Sequence, residues 1–188
     1  MRKPKVADLS TKQGRVWLAA GAAVLVAIVA IVVVVAVGGG DSGSSSKSGE
    51  PEIVSAETLR ELSSEPGEPI YWAGERAGTE LELSQPGEGR TYVRYLTGGA
   101  KAGDSRPDFL TVGTYEQADP VAALRRQAKR ETGVLGKAPG GATVYFGREN
   151  PSSVYLAYPG VEVEIEVYDP NFKEALQLVQ SGQIVPAG

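Results

Sequence analysis

The run Thr79-Glu80-Leu81-Glu82-Leu83, the turn Pro86-Gly87-Glu88-Gly89 and the run Arg90-Thr91-Tyr92-Val93-Arg94-Tyr95 decide the fold. Leu81 and Leu83 alternate with Glu80 and Glu82, while Thr91, Val93 and Tyr95 alternate with Arg90, Tyr92 and Arg94. A period of two sends successive side chains to opposite faces of a strand. So short a connection allows only antiparallel pairing. With Leu81 and Leu83 on the inner face beside Val93 and Thr91, the acids stand outside with Tyr92 and Arg94, where opposite charges pair across the strands.

Working outward, Ser55 reads as an N-cap, with Glu57 favouring the helix start and Leu59 and Leu62 on one face; Pro66-Gly67 ends that helix. Pro69-Ile70-Tyr71-Trp72 reads as a short strand stopped at Gly74. Residues 98–108 are a Gly-rich loop, and Phe109 to Tyr115 is another strand. Asp119-Pro120 starts a second helix, a cap residue followed by proline, running to about Glu131 and ending near Gly133. Strands follow near 142–147, 153–158 and 161–168, and Asp169-Pro170 opens a last helix closed by Gly182. The order αββββα-βββα, with helices after runs of strands, predicts an α+β domain: one antiparallel sheet with helices packed on it. A faint echo links Thr114-Tyr115-Glu116 before Ala123-Leu124 with Val167-Tyr168-Asp169 before Ala175-Leu176. Strand-to-helix junctions of any α+β domain share such features.

This domain spans residues 51–188. Three segments precede it. Residues 17–37, Trp17 to Val37, are an apolar run without a charge. As a helix the run measures roughly 30 Å, the hydrocarbon thickness of a bilayer, so the lipid bilayer is its expected partner. Residues 1–16 form a basic tail with Arg2, Lys3, Lys5, Lys12 and Arg15 against Asp8. Positive flanks stay inside, so the expected location is the cell membrane, single-pass, N-terminus cytoplasmic and C-terminal domain extracytoplasmic. Residues 38–50 are Gly- and Ser-rich, a disordered tether with a reach of about 20 Å. Cleavage as a signal peptide after Ala36-Val37-Gly38 is the alternative, against which the length of the apolar run speaks. Ala19, Ala23 and Ala27 recur every fourth residue, a ridge that permits a homodimer through the membrane helix.

The chain has no cysteine and no histidine. Disulfides, thiolate nucleophiles, Cys/His zinc sites and a Ser-His-Asp triad are therefore excluded within it. A cysteine-linked lipid anchor is excluded too. Between residues 51 and 188, thirteen Lys and Arg face twenty Asp and Glu. That balance argues against nucleic acid as a partner, since such binding neutralises phosphates.

Few constellations carry chemistry. Val161, Val163, Ile165 and Val167 alternate with Glu162, Glu164 and Glu166. Three acids on one face could form a carboxylate ladder for calcium. The simpler reading is a strand with its acids in water, and the Gly turn of a calcium loop is missing. Arg125, Arg126, Lys129 and Arg130 crowd the end of the second helix, with Val121, Leu124 and Ala128 on its buried face. They are the candidate contact for an anionic partner, an envelope polymer or lipid headgroups; the plainer reading is a solvated face complementing the negative helix end. Gly136-Lys137 and Gly98-Gly99 with Lys101 lack phosphate-loop spacing and read as turns. No Ser-x-x-Lys occurs in the domain. Tyr71, Trp72, Tyr92, Tyr95, Tyr145, Phe146, Tyr155 and Tyr158 could line a groove but read first as core and sheet surface. No catalytic, cofactor-binding or metal-binding residue is expected, and no cofactor.

The segments Pro69-Ile70-Tyr71-Trp72-Ala73-Gly74 and Thr91-Tyr92-Val93-Arg94-Tyr95-Leu96 resemble those of uncharacterised, single-pass membrane-anchored proteins of high-GC, actinobacterial-type bacteria. Phe109-Leu110-Thr111-Val112-Gly113-Thr114-Tyr115, Ser153-Val154-Tyr155-Leu156-Ala157-Tyr158-Pro159-Gly160 and Glu166-Val167-Tyr168-Asp169-Pro170 extend the resemblance over most of residues 69–185. It implies bacterial origin and surface exposure, and carries no activity or catalytic residue.

The expected function is non-enzymatic: a membrane-anchored extracytoplasmic module for binding or envelope interaction, with an envelope polymer or membrane protein as partner. A sensory or regulatory protein acting through a cytoplasmic partner is the first alternative. A carboxylate-dependent envelope hydrolase is the second.

Overall fold

A computed structural model describes residues 49–65, 69–148 and 151–188. The expectations for the basic tail, the membrane helix, its dimer ridge, most of the tether and the Pro66-Gly67 stop lie outside these residues. Among the described residues, no helix is long and apolar enough to cross a membrane.

The elements, in order, are β1 (Glu52–Val54), α1 (Ala56–Ser63), β2 (Tyr71–Trp72), β3 (Glu80–Ser84), β4 (Arg90–Leu96), β5 (Thr111–Glu116) and α2 (Pro120–Arg130). After them come β6 (Val134–Lys137), β7 (Thr143–Phe146), β8 (Ser153–Ala157), β9 (Val163–Tyr168), α3 (Phe172–Gln180) and β10 (Val185–Pro186). Eight strands form one antiparallel sheet in the order β1-β3-β4-β5-β9-β8-β7-β6, and β2 pairs with β10 in a separate two-stranded ribbon. The α+β class is as the sequence predicts.

The detail differs in several places. β1, β6 and β10 have no counterpart in the predicted order. Three residues or fewer in β1 and β10 cannot show an alternation, and β6, Val-Leu-Gly-Lys, is mostly exposed and held by its ladder to β7. The segment read as a turn through Gly136-Lys137 is thus an edge strand. Ile70 to Ala73 is buried without alternation, because this segment lies inside the core layer and not in the main sheet. The last helix is capped by Asn171, two residues beyond Asp169, whose carboxylate accepts the Asn171 N–H. Gly49 and Glu50, the end of the expected tether, form a turn beside Gln85 and Pro86.

One face of the sheet carries the main core. Leu59 of α1, Ile70, Tyr71, Trp72 and Ala175, Leu178 and Val179 of α3 pack on Leu83, Val93, Val112, Val154, Leu156, Ile165 and Val167. The other face is covered in two places. α2 lies on it through Leu124 and Ala128, against Tyr145, Tyr155 and Ala157. The loop between β4 and β5 folds over its far corner, where Leu96, Ala100 and Phe109 cluster.

The predicted hairpin register holds: Leu81 faces Tyr95, Glu82 faces Arg94 and Leu83 faces Val93. The solvent exposure predicted for the acids holds at Glu80 and fails at Glu82. Glu82 is 1 % exposed because the β4–β5 loop covers it. Glu164 is also buried and Glu166 is half-buried, so of the three acids read as standing in water only Glu162 is exposed. The registers fix two ends of the sheet. Residues 49–50, the β3–β4 turn and the start of α2 lie at one. The loops 73–79, 97–110 and 169–171 lie at the other, with the C-terminal end of α2.

Candidate functional site

α2 is set by its local sequence. Asp119 caps it by accepting the Ala122 N–H at 3.3 Å, with Pro120 in the first turn. Leu124 and Ala128 are buried and Val121 packs beside them, as the spacing predicts, and Gln127 is buried as well. Arg125, Arg126, Lys129 and Arg130 are all exposed, and none forms an ion pair among the described residues. Glu131, the acid that follows them, is turned to other work. It accepts hydrogen bonds from Tyr145 Oη at 2.7 Å and Gln127 Nε2 at 3.3 Å. Burial, with that bond to Glu131, pushes the Tyr145 hydroxyl up to about 12. The four cations of one helix thus stand without an ion-pair partner among the described residues.

A second constellation lies on the same face of the sheet and was missed as a site. Cross-strand pairing sets Tyr92, Gly113, Glu166, Tyr155 and Tyr145 in one row, and Tyr115 beside Glu164 in the next. A Cβ at Gly113 would stand 2.7 Å from Tyr115 Oη, so the bare glycine lets the Tyr115 ring lie across the strand towards Glu166. Tyr115 Oη donates to Glu166 Oε2 at 2.6 Å and Tyr155 Oη donates to Glu166 Oε1 at 3.1 Å. Burial and the Glu166 charge both raise these two hydroxyls, which stay protonated donors. Glu164 receives no hydrogen bond among the described residues. Burial, with Glu166 beside it, pushes its carboxyl up to about 7. The signal that could have found this group is parity: Tyr92, Tyr115, Tyr155, Glu164 and Glu166 all occupy the polar phase of their strands.

At the far end of the sheet, a cleft of about 490 Å³ opens between the three loops, with Arg76, Tyr95, Asp108 and Asp169 in its wall. Tyr95 is a rigid part of that wall, since its hydroxyl accepts the Ala73 N–H at 2.7 Å and donates to the Gly74 carbonyl at 3.0 Å. Burial raises the Asp169 carboxyl. Outside the cleft wall, the Arg106 guanidinium holds Asp104 down at about 2. Among the described residues no group of three acids is close enough to hold a metal ion. The cleft is an open, largely polar surface.

No protein-family model, no curated protein and no solved structure matches this chain.

Proposed function

We propose that this chain is a single-pass membrane protein, N-terminus cytoplasmic, whose extracytoplasmic α+β domain acts by binding, and that α2 contacts an anionic surface of the envelope. The observation that carries the reading is the exposed face of Arg125, Arg126, Lys129 and Arg130 on an acidic domain, with no carboxylate paired to any of them among the described residues. The apolar run from Trp17 to Val37, its basic flank and the resemblance to anchored bacterial proteins support the location. The contact is modest, about 1 kcal/mol for each basic residue near an anionic surface, and is screened by salt.

The test uses the full-length chain in nanodiscs of neutral lipid, mixed with vesicles containing phosphatidylglycerol or with an isolated anionic wall polymer. Co-sedimentation at low salt should disappear at high salt. Changing all four basic residues to Gln should abolish it while moving the melting temperature little, because their exposed side chains form no ion pair or hydrogen bond among the described residues. Absence of binding by the unchanged protein at low salt would leave α2 a solvated helix. The location has its own test. Protease added to intact protoplasts should degrade the domain and leave a small protected N-terminal fragment; recovery of a soluble mature protein beginning near Gly39 would refute it.

A further inference from the structure

α2 lies over β6, β7 and β8 and touches β9, and the β4–β5 loop covers Glu82 and Arg94; between them the sheet face over β4, β5 and part of β9 stays partly open as a shallow trough. Tyr92, Tyr115 and Glu166 are each partly exposed there. The Tyr92 and Tyr115 rings meet edge to face, 5.8 Å apart and at 80°. Below them lie two carboxylates, Glu164 and Glu166, on one face of one strand. Glu166 is held by its two tyrosine donors. Glu164 is not: it is 6 % exposed and its carboxyl has neither hydrogen bond nor ion pair among the described residues. Yet no fully buried side-chain oxygen or nitrogen lacks a partner among those residues. The Glu164 stem is therefore buried while its oxygens open onto the trough.

Among the described residues no cation pairs with Glu164. Glu166 shares its strand, Tyr115 stands opposite on β5 and Tyr155 on β8. On β4, Arg90 is joined to Glu88. From α2, the basic residues are exposed and pair with neither glutamate. A nearly buried carboxylate without a protein partner is costly as an anion, and a proton or a bound cation relieves that cost.

We propose that this trough binds a small organic monocation, with an ammonium group seated between Glu164 and Glu166 and its carbon substituents against the Tyr92 and Tyr115 rings. Tyrosine faces attract alkylammonium groups through their quadrupole. A divalent metal fits less well, since the described residues bring no third acid to the place. Glu164 is neutral below about 7, so seating the cation expels a proton at mildly acid pH and none at pH 8. Affinity therefore rises with pH through the neutral range.

Calorimetric titration of the full-length chain in non-ionic detergent tests this, with choline chloride and ethylammonium chloride as probes and sodium chloride at matched ionic strength as the control. One or both probes should bind at pH 8 and bind more than about tenfold more weakly at pH 5.5. At pH 6, titration in two buffers of different ionisation enthalpy should show proton release on binding. Glu164→Gln should weaken binding at least about tenfold and remove that proton release. Tyr92→Leu, a change at the surface, should weaken binding without affecting the proton count. No heat from either probe at pH 8 overturns the proposal. So does binding that survives Glu164→Gln, or sodium competing on equal terms.

Discussion

Replacing Glu82 by Ala is expected to destabilise the domain by about 3 kcal/mol or more, the range found when one member of a buried ion pair is removed. Glu82 Oε1 meets Arg94 Nη1 at 2.7 Å, and Glu82 Oε2 accepts the Gly103 N–H at 2.6 Å. Arg94 Nη2 donates onward to the Asp104 carbonyl at 2.6 Å and the Arg106 carbonyl at 3.2 Å, and its guanidinium lies 5.1 Å over the Phe109 ring. The pair is thus the rivet that holds the β4–β5 loop on the sheet. Without Glu82, Arg94 keeps a poorly solvated charge and Gly103 loses its acceptor. The double change Glu82→Leu with Arg94→Met should cost less than Glu82→Ala alone, because no charge is then stranded. Urea unfolding of the full-length chain in detergent, with amide exchange at Gly103, measures both effects. A loss below about 1 kcal/mol with Gly103 still protected would mean that the loop is held by its apolar cluster, Leu96, Ala100 and Phe109, instead.

That rivet marks where the sequence could be read and where it could not. The hairpin register was legible, because Leu81, Leu83 and Val93 fix which residues face the core and the short turn fixes the offset. The start of α2 was legible because Asp119-Pro120 acts through its own backbone. The polar face was not. Alternation reports two faces, not what covers the second. Glu82 and Glu164 sit in the same phase as solvent-facing acids, and only tertiary placement buries them, for Glu82 that of a Gly-rich loop. Tyr155 reaches Glu166 within the β8–β9 hairpin, but the pairing of β5 with β9 that brings in Tyr115 joins strands far apart in the chain, so no local spacing announces the whole cluster. The four basic residues of α2 were legible as exposed because an amphipathic helix carries its own burial pattern. That Glu131 is spent on Tyr145 and forms no ion pair with them was not.

The burial of Glu164 fixes the sign of a pH effect. Its carboxyl titrates at about 7 in the folded domain, raised first by burial and then by Glu166, whereas an unfolded chain titrates it in the ordinary carboxylate range. Between those values the folded state keeps a proton that the unfolded state has lost. Stability from this group is full below the unfolded value, falls as pH rises, and is exhausted above about 7. The loss amounts to about 3 kcal/mol, or roughly 10 °C in melting temperature for a domain of this size. Asp169, also raised by burial, adds to the slope with the same sign. The comparison that isolates Glu164 is therefore wild type against Glu164→Gln at each pH. The two should melt alike near pH 4, and the variant should be the more stable by most of that 3 kcal/mol at pH 8. Near-ultraviolet circular dichroism of the full-length chain in detergent follows the transition. Equal melting temperatures at pH 8 would mean that water or a rotated Glu164 relieves the charge. A cation bound in the trough acts on the same balance. It favours the folded state by its occupancy, so choline should raise the melting temperature of the wild type at pH 8 and leave Glu164→Gln unmoved. An increase in both would place the choline effect outside the trough.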